Sequence, residues 1–335
     1  MKSALTDIFR AHVRRYSGFD ISTQADIHPL RQGYFRKVDI SMSGEAPKDF
    51  LKIFEHGRGR KAHPESWPGY IAKVGQKYYP NESVTEQLLT RLGHLLGMQM
   101  ASSRLMWVRG QLRFLSEYFL GPNESLVHGA EIFAGYLADD RDFVKKVEEM
   151  KMTQEIFTFQ VVEEAVRSRF PAQADGILQN FVRLLGFDAV VGNNDRHYFN
   201  WGVITHVSGL RPPRFSPIYD TARALFWNSD EVGLEKFDRP GEFDRHLVKY
   251  TQSSHPKTGW DGLKSPNHFN LVRKIVEERP IYWETLASLH LPDLPARVEK
   301  MLDEEFAGLF SMRRRKFILG CIQRRLDYYK EAVMI

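Results

Sequence analysis

A polar stretch near the middle of the chain carries the side chains that phosphoryl transfer needs. It reads GNNDRHYFNWG from residue 192 to 202, and SPIYD follows at 216–220. The carboxylate of Asp195 is suited to accept the proton of an attacking hydroxyl group, and Asn200 and Asp220 supply oxygen ligands of the kind that Mg²⁺ prefers. Enzymes that transfer the γ-phosphate of ATP combine these functions. The stretch therefore predicts phosphoryl transfer from ATP with Mg²⁺.

The neighbouring segments predict how this stretch is held. Apolar residues recur at helical spacing before it, and two short strand-like segments, 201–204 and 215–219, follow it around a turn rich in Gly and Pro. Two carboxylates that lie close together raise each other's pKa, and a divalent cation removes that conflict. Taken alone, an Asn- and Asp-rich segment is also typical of an ordinary turn. The spacing from Asp195 to Asn200 and the later Asp220 favour a metal site.

These motifs resemble the HipA-like kinases, whose catalytic loop reads roughly N-x-D-x-H-x-x-N and is followed farther along the chain by a Tyr/Phe-Asp pair. The form D-R-H-x-x-N-W-G is similar to that of the stand-alone effector kinases of the CtkA type. By position, the resemblance implies that Asp195 is the catalytic base and that Asn200 and Asp220 bind Mg²⁺. It also implies that His197 helps to hold the shape of the loop.

The resemblance implies an α+β, bilobal protein-kinase-like fold. Its small β-rich N-terminal lobe would span residues 1–121, and its mostly helical C-terminal lobe would span 122–335. Strand-like segments at 33–42, 49–54, 103–108 and 113–119, and a helix at 84–96, agree with this division. Residues 55–81 are rich in Gly, Pro and charge and are expected to form a long loop, either a lid or docking segment or a plain insertion.

Two residues of the N-terminal lobe are candidates for holding the nucleotide. Lys52 lies between apolar neighbours on the second strand-like segment, and the resemblance assigns it to the α- and β-phosphates of ATP. The alternative is a solvent-facing lysine on a half-buried strand. Glu86 has two competing roles, because it is either the partner of Ser83 in an S-x-x-E capping box or the acid that orients Lys52.

The remaining nucleotide contacts are assigned by position. The loop that covers the phosphates is expected at 31–37, where Arg31 and Lys37 would contact phosphate oxygens, although a solvated turn is an equal alternative. This segment has one glycine and no serine, so the serine loop by which HipA-type kinases silence themselves is not expected there. In the fold that the resemblance implies, main-chain groups near Glu117 to Phe119 would meet the adenine edge.

Composition excludes several classes of protein. The net charge is +5 and the chain has one cysteine, so neither a disulfide framework nor a thiolate zinc site can form within it. No long basic stretch indicates direct nucleic-acid binding, and no run of about 18 apolar residues indicates a membrane span. The N-terminus lacks an apolar signal core. We expect a cytoplasmic protein, with secretion as an effector left open.

These observations predict an ATP-dependent serine/threonine protein kinase of the HipA-like type. The resemblance implies a protein substrate, such as an aminoacyl-tRNA synthetase or another translation component, and a candidate antitoxin partner. Two alternatives remain open at this point. One is a phosphotransferase that acts on small molecules or antibiotics, and the other is a pseudokinase that binds without catalysis.

Overall fold

The chain forms a sheet-rich N-terminal part and a mostly helical C-terminal part. The computed structural model describes residues 13–23, 25–40, 47–137 and 141–334. This architecture confirms the predicted α+β class and bilobal, kinase-like fold. The boundary between residues 121 and 122 stays a prediction, although a connection at 118–123 separates the strands of the two sheets.

An antiparallel five-stranded sheet dominates the N-terminal part. Its strands are β1 (Phe35–Val38), β2 (Lys48–Ile53), β3 (Gly69–Lys73), β4 (Ser103–Val108) and β5 (Gln111–Glu117), in the order β1-β2-β3-β5-β4. Side chains alternate between the two faces of a strand. One face, here called the outer face, buries a small apolar cluster of Leu51, Ile53, Tyr70, Ala72 and Leu115. We call the opposite face the cleft face.

Strand β3 lies inside the region 55–81 that was expected to be a loop. Its sequence GYIAK is short and apolar, and Gly, Pro and charged residues surround it. Pairing with β2 on one side and β5 on the other buries Tyr70 and Ala72. The expectation of a continuous loop was therefore wrong for 69–73, because long-range pairing overrides the local turn signals.

Helix α1 (Asn81–Leu95) packs against β4 and β5 and fully buries Val84, Leu88 and Leu92. It begins at Asn81, so Ser83 lies within its first turn, where the Ser83 hydroxyl accepts a hydrogen bond from the Gly75 N–H at 3.0 Å. The predicted capping box of Ser83 and Glu86 is therefore wrong. Gly97, at φ 68°, follows the helix in the left-handed conformation that commonly ends helices.

The C-terminal part combines a small sheet with helices. Strands β6 (Glu124–His128), β7 (Gly202–His206) and β8 (Arg214–Phe215) pair antiparallel. The helices are α2 (Gly129–Tyr136), α3 (Arg141–Glu149), α4 (Thr153–Ile156), α5 (Phe159–Arg169), α6 (Ala174–Val191), α7 (Glu231–Phe237), α8 (Glu242–Gln252), α9 (His268–Glu278), α10 (Trp283–Ala287), α11 (Leu294–Glu304) and α12 (Met312–Val333). No helix in the described ranges has the length and apolar character that crossing a bilayer requires.

Helix α6 delivers the polar stretch to its place. It packs against α5, α9, α10 and α12, and its second half, residues 184–191, is buried on every side. It ends at Gly192, whose φ of 80° is in the left-handed region that favours glycine. A Cβ atom there would lie 3.0 Å from the guanidinium of the buried Arg325. The chain therefore turns sharply into the segment 193–200, here called the catalytic-loop segment.

Candidate functional site

A buried ion pair anchors the catalytic-loop segment. The Arg196 guanidinium donates to both carboxylate oxygens of Asp188 on α6, at 2.9 and 3.1 Å. The two side chains are only 2% and 1% exposed. Burial lowers the pKa of Arg196, but the carboxylate of Asp188 outweighs that effect and leaves the pKa raised. The guanidinium therefore stays charged and fixes the segment to the end of α6.

The same guanidinium brings two separate parts of the chain together. Arg196 Nη1 donates to the main-chain oxygen of Asn200 at 3.0 Å and to that of Tyr219 at 2.8 Å. Asn200 ends the catalytic-loop segment, and Tyr219 directly precedes Asp220. The predicted metal ligands Asn200 and Asp220 are thus held on either side of one buried nitrogen atom.

Hydrogen bonds within the catalytic-loop segment fix Asp195 and Asn200. The main-chain oxygen of Asp195 accepts from the His197 N–H at 2.8 Å and from the Asn200 side-chain amide at 3.0 Å. The Asp195 N–H donates to the Asn193 side chain at 3.2 Å. The Asp195 carboxylate itself is 38% exposed and can therefore meet a substrate. Its role as the base stays a prediction.

His197 makes a hydrogen bond within the turn that it occupies. Its ring Nδ1 accepts a hydrogen bond from the Phe199 N–H at 3.3 Å. Its positive form also helps to lower the pKa of Asp220. Both contacts agree with the supporting role that was predicted, which stays a prediction.

Asp220 adopts an unusual backbone conformation next to a lysine. Its φ of 57° is in the left-handed region, which non-glycine residues adopt mainly where the surroundings impose it. The Lys73 ammonium group donates to Asp220 Oδ1 at 3.0 Å. Burial raises the pKa of Asp220, but Lys73 outweighs burial and lowers it to about 2. The carboxylate is therefore ionised at neutral pH.

Lys73, and not Lys52, is the lysine of this site. Lys73 Nζ also donates to Glu86 Oε1 at 2.7 Å, and its side chain is 12% exposed. Burial lowers the pKa of Lys73, but Asp220 and Glu86 together raise it. One ammonium group thus joins α1 of the N-terminal part to the Asp220 segment of the C-terminal part. This arrangement supports the predicted orienting role of Glu86, with a different lysine.

The assignment of Lys52 is corrected by the register of the sheet. Lys52 pairs with Gly69, at the opposite end of β3 from Lys73, so the two lysines lie about 13 Å apart along the strands. Lys52 Nζ donates to the Trp67 main-chain oxygen at 2.8 Å. It is Lys48 that pairs with Lys73, and burial followed by the charge of Lys73 lowers the pKa of Lys48. Lys48 therefore shares the cleft face with the site.

Arg31 and Lys37 lie away from this cluster. Lys37 pairs with Leu51 on the outer face, and its ammonium group binds Asp49 Oδ1 at 2.7 Å. Arg31 is exposed in the turn before β1, at the far end from the β1–β2 connection. That connection spans 39–47, and 41–46 lie outside the described residues. The assignment of 31–37 to the phosphate-covering loop is therefore wrong, because it lies before and in β1.

Glu117 and Phe119 lie where β5 passes into the connection between the two parts. The main-chain N–H groups of Glu117 and Tyr118 donate to Ser102 and Gly69 at 2.7 and 2.9 Å. Within the described part of the chain, no residue accepts from the Phe119 N–H, which is therefore available to a ligand. The Phe119 ring lies 5.8 Å from the ring of Tyr219. Adenine recognition here stays a prediction.

The donor set fits Mg²⁺. Asn200 commits its amide nitrogen to Asp195, and Asp220 commits Oδ1 to Lys73. In the described ranges, no donor engages the amide oxygen of Asn200 or the second carboxylate oxygen of Asp220. No group of three or more His, Cys, Asp or Glu side chains forms a metal site there. One carboxylate and one amide are a donor set suited to Mg²⁺, which keeps several waters and binds substrate phosphates.

Comparison with known proteins identifies the family. The model of the HipA-like C-terminal domain matches residues 40–279, which is most of the chain. The chain belongs to the HipA-like family. No curated protein sequence matches it.

Two solved structures share the fold of this HipA-like chain. The proinflammatory kinase CtkA of Helicobacter pylori is 14% identical, with a TM-score of 0.70, and the match covers 92% of this chain and 97% of that one. HipA of Shewanella oneidensis MR-1, solved with HipB and its operator DNA, is 15% identical, with a TM-score of 0.50, and the match covers 94% of this chain and 76% of that one. At these identities the likeness concerns the fold.

Sequence reasoning missed Lys73, Arg196 and Asp188. Lys73 carried a usable signal, since it ends an apolar segment, Tyr70 to Ala72, of the kind that forms a strand. Arg196 lies inside the motif, directly after Asp195, but nothing local shows that its guanidinium turns inward. Asp188 lies four residues before Gly192 on α6, and a lone carboxylate on an apolar helix is a signal for a buried partner.

Proposed function

We propose that this HipA-like chain is a serine/threonine protein kinase that transfers the γ-phosphate of ATP to a protein hydroxyl group. The observation that carries the proposal is the Lys73 ammonium group, bonded at once to Glu86 and to Asp220. Kinases require a lysine-glutamate pair and a metal-binding aspartate to be in place together. The family and the kinase fold of CtkA support the same class of chemistry.

Each residue of the site has a role in this proposal. Lys73 contacts the α- and β-phosphates, and Glu86 orients it. Asp195 accepts the proton of the substrate hydroxyl, which requires that the hydroxyl lie within hydrogen-bond reach of its exposed carboxylate. Asn200 and Asp220 hold Mg²⁺, which when bound neutralises negative charge on the phosphates.

Arg196 keeps this arrangement rigid. Because its buried guanidinium fixes the main chain of Asn200 and of Tyr219, the two metal ligands are oriented before substrates arrive. Such preorganisation contributes to catalysis because the enzyme does not spend free energy on reorganisation during the reaction. Lys48 adds a second ammonium group on the cleft face of the sheet, close to the place of the phosphates.

The nature of the substrate and partners is the finer part of the proposal. We propose a protein substrate, with an aminoacyl-tRNA synthetase or another translation component as the first class to examine. The HipA of Shewanella oneidensis was solved with HipB, and by extension an antitoxin is a candidate partner of this chain. Cytoplasmic location and the absence of direct nucleic-acid binding stay predictions.

Phosphosite mass spectrometry tests the proposal. The purified protein and its Asp195→Asn variant are incubated separately with ATP, Mg²⁺ and bacterial lysate. We expect new phosphoserine or phosphothreonine on protein with the parent only. Phosphate transferred only to small molecules would instead favour a phosphotransferase acting on those molecules, and equal transfer by both proteins would refute Asp195 as the base.

Nucleotide binding is measured beside this experiment to separate catalysis from binding. ATP with Mg²⁺ should raise the melting temperature of the parent and of Asp195→Asn, because Asp195 is not a ligand of the metal or the nucleotide. Asp220→Ala should lose the Mg²⁺-dependent part of that rise. A parent that ATP stabilises but that transfers no phosphate to any acceptor would be a pseudokinase.

A further inference from the structure

The segment after Asp220 places an arginine beside the predicted base. Arg223 Nε lies 3.6 Å from Asp195 Oδ2, and Arg223 Nη2 lies 3.7 Å from Glu82 Oε1. The side chain is 19% exposed. Its guanidinium carbon lies 4.0 Å from the centre of the Trp227 ring, which covers one face of the group. Arg223 is therefore held at the site without being buried inside the protein.

The donor groups of Arg223 face two carboxylates as ion pairs but are too far from them to form hydrogen bonds. Distances of 3.6 and 3.7 Å exceed the usual 2.7–3.2 Å of an N–H···O hydrogen bond. In the part of the chain that the structure describes, no acceptor takes a hydrogen bond from this guanidinium. Arg196, by contrast, commits its guanidinium to Asp188 and to two main-chain oxygens. A planar guanidinium that is held by its face and makes no hydrogen bond within the described residues matches the oxygens of a phosphoryl group.

The main chain around Arg223 is fixed on both sides. The Arg223 main-chain oxygen accepts from the Asn194 N–H of the catalytic-loop segment at 3.4 Å. Four residues later, the Trp227 main-chain oxygen accepts from the Asn81 side-chain amide at the start of α1, at 2.9 Å. Phe226 between them has a φ of 58°. The arginine is thus positioned by the same two elements that position Asp195 and Glu86.

We propose that Arg223 is a catalytic residue that donates hydrogen bonds to the non-bridging oxygens of the γ-phosphoryl group during its transfer. The inference rests on the proposed kinase function. In the transfer, the hydroxyl oxygen of the substrate forms a bond to the γ-phosphorus, and the bond to the β,γ-bridging oxygen breaks. The proton passes to Asp195, and ADP leaves with the electron pair of the broken bond.

Geometry gives the reason for this placement. A hydroxyl that donates to Asp195 has its oxygen within about 3 Å of the carboxylate, and that oxygen attacks a phosphorus about 3–3.5 Å farther on. A guanidinium 3.6 Å from the same carboxylate reaches the γ-phosphoryl oxygens when the phosphorus lies on the side of Asp195 that Arg223 occupies, and the inference requires this placement. Positive charge at this position stabilises the charge of the transition state, as an arginine finger does.

Binding of a transition-state analogue tests the inference apart from turnover. The Kd for ADP with Mg²⁺ is measured by calorimetry, with and without aluminium fluoride, which mimics the phosphoryl group in flight. The parent should bind ADP at least tenfold more tightly with aluminium fluoride, because the analogue gathers transition-state contacts. Arg223→Gln should keep the Kd for ADP with Mg²⁺ within about twofold, since the ground state does not use Arg223, and should lose most of that gain.

Kinetics and matched variants complete the test. Arg223→Gln should lower kcat about 10²- to 10³-fold with little change in KM for ATP. Arg245→Gln removes an exposed arginine of α8 that pairs with Glu242, and it should behave as the parent in every assay. Arg223→Lys keeps the positive charge but lacks the paired N–H donors of a guanidinium. It should therefore retain only part of the tightening of ADP binding by aluminium fluoride.

The outcomes separate this inference from the proposed function. A full aluminium fluoride gain in Arg223→Gln overturns the role of Arg223 while leaving the kinase assignment intact. If Arg223→Lys keeps the full tightening of ADP binding by aluminium fluoride, the proposal that the guanidinium donates more than one hydrogen bond is overturned. This variant decides the question if Arg223→Gln does not fold. Absence of ADP binding with Mg²⁺ in the parent would instead refute the kinase proposal itself.

Discussion

Variants of the buried pair of Asp188 and Arg196 can show whether stability and phosphate-transfer activity depend on the same interactions. Replacing Asp188 by Asn keeps the shape of the side chain and an acceptor for Asn193, which donates to Asp188 Oδ1 at 2.9 Å, but removes the negative charge. Because the two partners are 1% and 2% exposed, water cannot take over the lost interaction. An unpaired buried charge costs about 3–5 kcal/mol, so we expect the free energy of unfolding to fall by about that amount.

Arg196→Met leaves Asp188 unpaired and should cost a similar amount. The double variant Asp188→Asn/Arg196→Met has no unpaired charge, so its loss should be smaller than the sum of the single losses by about 2–3 kcal/mol. It should stay less stable than the parent, because the main-chain oxygens of Asn200 and Tyr219 lose their donor, at about 1–3 kcal/mol for each group left unpaired.

Activity should not recover with stability in the double variant. Without Arg196 the metal ligands Asn200 and Asp220 lose their common anchor, and a misplacement of about 1 Å can lower the rate about 100-fold. Urea unfolding measures the stabilities, and phosphate transfer below the unfolding transition measures the activity. Asp175→Asn, which breaks an exposed pair with Arg167, is the control and should cost less than about 1 kcal/mol. The reasoning would be refuted if either single variant lost less than about 1 kcal/mol of unfolding free energy, or if the two single losses simply added up in the double variant.

Three further changes have defined outcomes. Lys73→Met should abolish phosphate transfer and Lys52→Met should keep most of it, and equal losses in a radiolabelled ATP assay would restore Lys52 as a candidate. The carboxyl group of Glu124 is ionised at neutral pH, because hydrogen bonds from Arg214 and, to a smaller extent, from the Gly121 N–H lower its pKa to about 2. A depressed pKa in the folded state stabilises the protein above the unfolded value of about 4.5 and loses that effect as pH falls towards 2. Glu124→Gln should therefore lower the urea midpoint at pH 7 and approach the parent only as the pH falls towards 2, and a constant difference would contradict this. Gly202→Ala should lower the melting temperature in a thermal scan, because a Cβ there would lie 2.5 Å from the Val127 main-chain oxygen in the adjacent strand.

The parts of the site that were predictable lie close together in the sequence. Asp195 and Asn200 are five residues apart, and the hydrogen bond from the Asn200 amide to the Asp195 main-chain oxygen closes a loop of that length. The helix before them and the turn at Gly192 follow from apolar periodicity and from the left-handed conformation that glycine adopts readily. Local sequence patterns were therefore sufficient to predict the catalytic-loop segment and the elements that flank it.

The nucleotide-binding lysine was assigned to Lys52 because strand β3, which carries Lys73, was not recognised as a strand. GYIAK is only five residues long, and its burial depends on β2 and β5, which are supplied by distant parts of the chain. Once β3 was taken for a loop, the lysine of the third strand was sought on the second. Glu86 was left between two roles, and its carboxylate accepts a hydrogen bond from the lysine of the third strand, so its orienting role stays a prediction that now concerns Lys73.

The buried arginine shows a deeper limit of local reasoning. Arg196 lies in the motif between Asp195 and His197, where a charged residue is expected to be exposed to solvent. Its inward direction follows only from Asp188 on α6 and from Tyr219 beyond the hairpin, which are brought together by the packing of the whole C-terminal part. Two arginines of the same region thus have opposite tasks. Arg196 commits its hydrogen bonds to the protein and fixes the site, whereas Arg223 makes no hydrogen bond within the described residues, as the proposed contact with a phosphoryl group requires.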